Sequence, residues 1–201
     1  MWRALVDADA LRGWFASDAR VTPEVGGEYH VAHGEYAQTS TIDEFVPNER
    51  LAGSHEGKVV AFELEGRAGK TVLRIVQSGF GPDELESLER GWGAYVQTMR
   101  HYLALHADEP AEATYSYVGG ELTVEQARAA LRAALPEDAE VFDESPRSLG
   151  ARVPSLGDGI YRASIEGSDG SALVWVHLVA YGPGRDRLAE ATAAAQRALA
   201  G

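Results

Sequence analysis

The sequence predicts an α+β protein built on antiparallel sheet. Three observations carry this. Between residues 20 and 77, short alternating segments follow one another across connections of hairpin length, which makes a meander. After Gly81-Pro82, apolar residues three or four apart mark one long amphipathic helix. The order of helix, strands and closing helix then recurs after residue 112, a weak internal duplication.

The elements follow from local signals. Trp2, Leu5 and Val6, then Leu11, Trp14 and Phe15, are spaced as two short helices, with Asp7 and Asp9 as cap residues. Strands are expected at 20–25, 28–33, 36–46, 51–55, 59–65 and 71–77, bounded by turn compositions such as Gly26-Gly27 and Glu56-Gly57-Lys58. In 28–33, Tyr29, Val31 and His33 share one face, so His30 and His33 point to opposite sides. Asp83 is expected to cap a helix running to about His106, whose stripe is Leu85, Leu88, Trp92, Tyr95, Val96, Met99, Tyr102 and Leu103. Residues 108–112 read as a linker between a domain at 1–107 and a smaller α+β unit at 113–201. That unit should hold a strand at 113–118, a helix at 123–135 with Thr123 and Gln126 as a capping box, strands at 140–143, 148–153, 159–166 and 172–181, and an Ala-rich packing helix at 185–199.

Composition narrows the function classes. Apolar residues at 45% and charged residues at 24% fit a packed globular chain rather than a disordered one. A net charge of -13 repels polyanions, so neither nucleic acid nor an anionic membrane surface is an expected partner. The absence of cysteine removes disulfides, thiolate metal sites and thiol catalysis. The longest apolar run, 173–181, suits a buried strand and is too short for a membrane span. With no signal-peptide plan at the N-terminus, a cytoplasmic location is the expectation.

Six short motifs in order resemble a known family: Trp2-Arg3-Ala4-Leu5, Trp14-Phe15, Val25-Gly26-Gly27-Glu28-Tyr29, Phe62-Glu63-Leu64, Ser78-Gly79-Phe80 and Glu89-Arg90-Gly91-Trp92. Residues 1 to about 105 are similar to the bacterial relatives of the activator of Hsp90 ATPase, within the START-like (SRPBCC) superfamily. The resemblance implies a helix-grip fold, in which a curved antiparallel sheet wraps a long helix around a cavity. It also implies a strand ahead of the Trp-Arg-Ala-Leu helix. Met1 stands just before Trp2, so a native start upstream is expected, to be checked by intact mass. One sheet edge would then need cover from the second unit or from another subunit, which makes a homodimer an expected assembly.

On that implied fold, the ligand-facing residues are Trp14 and Phe15 at the mouth, Tyr29, His33, Phe45, His55 and Phe62 on the sheet, and Trp92, Tyr95 and Met99 on the helix. Aromatic rings with polar tips suit a mainly apolar pocket, although the same side chains would equally fill a core. The expected partner is a small apolar or aromatic molecule, with Tyr29, His55, Trp92 and Tyr95 as polar anchors. No cofactor is expected. Scattered histidines without a converging carboxylate pattern give no metal site, and neither a Gly-x-Ser-x-Gly elbow nor a complete P-loop is present. The superfamily resemblance implies two further readings: a cyclase or hydrolase using His33 or His55, and a co-chaperone-like interaction module.

Overall fold

The computed structural model describes residues 1–200, apart from the side chain of Asp83, so the expected cap there lies outside the described side chains. Two short helices open the chain, α1 (Trp2–Val6) and α2 (Ala8–Arg12). Asp7 separates them because its carboxylate accepts the Ala10 N–H at 2.9 Å and starts α2. Six strands then pair in chain order as an antiparallel meander: β1 (Asp18–Val21), β2 (Glu28–His33), β3 (Tyr36–Val46), β4 (Arg50–His55), β5 (Lys58–Arg67) and β6 (Lys70–Ser78). The first strand ends at Val21 rather than at residue 25, since Pro23 has no N–H for a ladder. At Glu56-Gly57 both φ angles are positive (49° and 80°), the primed turn that suits a two-residue hairpin. A bulge between Ile42 and Glu44 bends β3.

Helix α3 (Leu85–Leu105) follows a 3-10 turn in which the Glu84 carboxylate accepts the Gly81 N–H at 2.8 Å. The second sheet comprises β7 (Ala111–Gly119), β8 (Glu140–Glu144), β9 (Ser148–Val153), β10 (Gly159–Glu166) and β11 (Leu173–Tyr181), in the order β7-β11-β10-β9-β8. Helix α4 (Val124–Ala133) starts at the reciprocal Thr123–Gln126 box, and α5 (Leu188–Ala200) closes the chain. The edge of β6 has no strand beyond it among the described residues. No strand of the second sheet pairs with it, since the two sheets share no ladder among the described residues.

Four layers result: first sheet, α3, second sheet, then α4 with α5. Strand alternation divides the second sheet cleanly. Tyr161, Ala163, Ile165, Val174, Val176 and Leu178 pack on α4 and α5, while Ile160, Val179 and Tyr181 join the core around α3. The α3 helix therefore has two working faces. Trp92 and Tyr95 meet Phe62 and His33 of the first sheet, and Met99 and Tyr102 are buried in the same core. On the other side Ser87 and Arg90 donate to Glu166 (3.0 and 2.6 Å), Gln97 meets Arg162, and His101 Nε2 lies 2.7 Å from the Asp158 carbonyl.

Arg162 is 3% exposed in the centre of this junction. Asp143 accepts from it at 3.0 Å, and the Phe142 ring lies 4.7 Å from the guanidinium carbon. A second bulge, between Val141 and Asp143, brings Asp143 opposite Gly150 and so onto the Arg162 face. Asp143→Ala leaves the buried guanidinium without its counter-charge. It should cost about 2 kcal/mol in urea unfolding, below the usual value for a buried pair because Asp143 is partly solvated.

Candidate functional site

The inner face of the first sheet and α3 enclose a cavity of about 550 Å³. Even-numbered positions of β3 (Tyr36, Gln38, Ser40, Ile42) line it, with Tyr29, Val31 and His33 of β2, Val60 and Phe62 of β5, and Leu88, Gly91, Trp92 and Tyr95 of α3. Strand period on one side and helix period on the other place these side chains face to face.

Seven of the expected ligand-facing residues stand in this wall: Phe15, Tyr29, His33, His55, Phe62, Trp92 and Tyr95. Three do not. Trp14, expected at the mouth, is fully buried, its indole N–H donating to the Ala4 carbonyl at 2.8 Å. Phe45 packs against Trp2 at 5.5 Å, and Met99 is 1% exposed in the core. The physical reason is shared: Leu5, Leu11, Trp14 and Met99 fill one end of the space between helix and sheet. Residues not expected in the wall include Tyr36, Gln38, Ser40, Gln77 and Gly91. Counting back by twos from Ile42 would have found the first three.

The wall is an aromatic lattice. Phe15 stacks on Trp92 (5.6 Å) and meets Tyr95 and His33 edge-on at 4.8 and 5.0 Å. Two polar atoms in it are buried without a hydrogen-bond partner, the Tyr29 hydroxyl and His33 Nε2. Burial lowers the His33 pKa to about 4, against a backbone hydrogen bond to Phe15 that pulls upward, so the ring is neutral at pH 7. Burial likewise raises the Tyr29 hydroxyl and pushes Tyr95 up to about 12, so both stay protonated. No carboxylate lines the cavity among the described residues, and the one formal charge, Lys58, pairs with Glu84 at 2.7 Å and sits over the Phe80 ring. His55 is half-exposed, more rim than floor.

Behind this wall lies the second sheet. Tyr115 donates to the Phe15 carbonyl at 2.5 Å and Tyr117 to the His33 carbonyl at 3.0 Å. Tyr95 stacks on Trp175 at 6.3 Å. His177 is fully buried, parallel to Tyr115 at 4.2 Å, with neither ring nitrogen hydrogen-bonded. The cavity wall is thus held from behind by hydroxyl-to-carbonyl bonds from β7.

No helix is long and apolar enough to cross a membrane among the described residues. No curated protein matches the sequence. Three solved structures are similar in fold. DynU16, from the dynemicin biosynthetic locus, is 19% identical, with 98% of this chain and 88% of that chain covered and a TM-score of 0.46. The di-domain ARO/CYC BexL from the BE-7585A biosynthetic pathway is 15% identical, with 99% and 88% covered and a TM-score of 0.44. The Aha1 dimer from Colwellia psychrerythraea is 18% identical, with 52% and 85% covered and a TM-score of 0.48. Residues 1–104, more than half of the 201, match the model of the activator of Hsp90 ATPase homolog 1-like proteins, and the chain belongs to that family.

Proposed function

We propose that the chain binds a small, uncharged, largely aromatic molecule in the cavity between the first sheet and α3. One observation carries the reading: a space of about 550 Å³, walled by aromatic and aliphatic side chains, in whose wall two polar atoms, the Tyr29 hydroxyl and His33 Nε2, are buried without protein partners. That volume suits a ligand of a few fused rings. Phe15, Trp92 and Tyr95 offer ring faces and edges for stacking. The protonated Tyr29 hydroxyl can donate to a ligand oxygen, and neutral His33 can accept from a ligand hydroxyl, once the ligand reaches them. Burial of apolar surface supplies the affinity, and these two groups fix orientation. Binding is favoured over acid–base catalysis because no carboxylate lines the wall, and the one beside a cavity histidine, Glu56 at 3.9 Å from His55 Nε2, is exposed to solvent outside it.

Gly91 gives the test. A Cβ added there meets nothing within 4 Å, and the residue lies within α3 on the cavity wall. Gly91→Leu should therefore stabilise the helix by about 1 kcal/mol while filling the cavity. The expected result is a raised Tm together with at least about tenfold weaker binding of uncharged naphthols, followed by quenching of tryptophan fluorescence. Tyr29→Phe should weaken the naphthol by a smaller factor than Gly91→Leu and leave naphthalene unaffected. Equal affinity of the wild type and Gly91→Leu, or no binding across one- to three-ring aromatics, would remove the proposal.

A further inference from the structure

We propose that His101, His106 and Asp158 form a binding site for a divalent transition-metal ion of the zinc class, joining the C-terminus of α3 to the turn that precedes β10. One ligand atom from each residue comes within 4.8 Å of the others. None of the three lines the cavity, so the site stands apart from the proposed ligand pocket.

The second observation is the state of His106. The residue is 6% exposed, yet neither ring nitrogen has a hydrogen-bond partner. A buried imidazole left in that condition is costly, and a metal ion is one of the few partners that would satisfy it. Its ring is already fixed, lying parallel to Tyr181 at a centroid distance of 4.0 Å. His101 is held in a different way: its Nε2 lies 2.7 Å from the Asp158 carbonyl. With the proton on Nε2, that bond leaves Nδ1 with the free lone pair, the arrangement in which a backbone carbonyl orients a ligating histidine. Arg152 holds Asp158 Oδ1, which leaves Oδ2 for the ion. Glu109 Oε1, 3.5 Å from His106 Nδ1, is placed to give a fourth ligand or to bind a metal-held water.

Two imidazoles with one or two carboxylates is a zinc-type donor set, also suited to cobalt and nickel, whereas calcium and magnesium take oxygen ligands. With the ligand atoms already within 4.8 Å of one another, small side-chain rotations at most would close the site around the ion. The role that follows is structural. His101 and His106 belong to the end of α3, and Asp158 to the second sheet, so the ion would clip the two layers together.

The test uses the full chain after chelation, titrated with Co2+ and with Zn2+ at neutral pH. The expected result is one equivalent of Co2+ with the visible bands of a four-coordinate ion, displaced by Zn2+, and a Tm that rises with either metal. Asp158→Asn suits the left-handed backbone at this position (φ 64°) and keeps the fold. His101→Gln acts at a half-buried position. Each should weaken Zn2+ at least about 100-fold, with far-UV circular dichroism unchanged, while His30→Gln and His55→Gln, remote from the cluster, leave it as in the wild type. Absence of saturable Co2+ bands in the wild type overturns the proposal. So does stoichiometric binding that persists in the His101→Gln/Asp158→Asn double variant, which would place the ion elsewhere.

Discussion

Acidification from pH 7.5 to 5 should destabilise the protein by at least about 2 kcal/mol through two histidines, His33 and His177. Burial lowers the His33 pKa to about 4, and burial, His33 and Arg162 together hold His177 well below the ordinary histidine range. In the unfolded chain both titrate near 6.5. The sign follows directly. Between about pH 4 and 6.5 the unfolded state binds protons that the native state refuses, so stability is complete above 6.5 and falls as the pH drops. At pH 5 His33 alone accounts for about 2 kcal/mol, a large share of a total stability of about 5–15 kcal/mol, and His177 acts in the same direction. The groups around His177 offer a proton no compensation: Tyr95 and Tyr115 are neutral, and Arg162 is a cation across the strand pair. Urea unfolding at the two pH values reads the difference. The His33→Gln/His177→Leu double variant should remove most of it, and His177→Leu alone a part. A wild-type change under about 1 kcal/mol, or an unaltered slope in the double variant, would show that these rings are solvated in the native state.

The same junction shows where sequence stopped being readable. Strand alternation and the apolar stripe of α3 are local signals, and β2, β3, β9 and β10 occupy the expected residues because each is bounded by turn chemistry or a register that only one face can satisfy. The apolar side of α3 could likewise be matched to the sheet, which is why seven wall residues were legible. The opposite side was not. Ser87, Arg90, Gln97 and His101 lie off the apolar stripe, yet each pairs with a polar group of the second sheet. Hydropathy cannot distinguish a polar residue that meets water from one that meets a polar partner 57 to 79 positions away. Asp143 is harder still. Strict alternation from Val141 would put it on the α4 side, and only the bulge brings it to Arg162. His106 and Asp158 are brought together by the packing of α3 against the second sheet, which no spacing encodes.

Gly184→Ala should cost more than about 4 kcal/mol and dismantle the second sheet's packing on α5. The residue is buried in the 3-10 turn Gly182–Arg187, and an added Cβ would stand 2.0 Å from the Leu156 carbonyl carbon and 2.2 Å from the Gly157 nitrogen. Both obstacles are backbone, so no side-chain rotation can make room. The opposing strand of the contact is equally constrained. Gly157 has φ 67°, and a Cβ there would lie 2.1 Å from the Tyr181 carbonyl oxygen. Two turns therefore meet main chain to main chain, and separating them would pull on Leu156, Tyr181 and Leu188, all essentially inaccessible to solvent. The control is Gly170→Ala. That glycine, unlike Gly184, has a positive φ (82°), and its Cβ would meet nothing within 4 Å, so the substitution bears only the left-handed strain of about 1–2 kcal/mol. Urea unfolding of the two variants side by side separates steric exclusion from backbone preference. A Gly184→Ala loss no larger than that of Gly170→Ala would mean the two turns are not in contact, and the docking of the turn that leads into α5 on the turn between β9 and β10 would have to be redrawn.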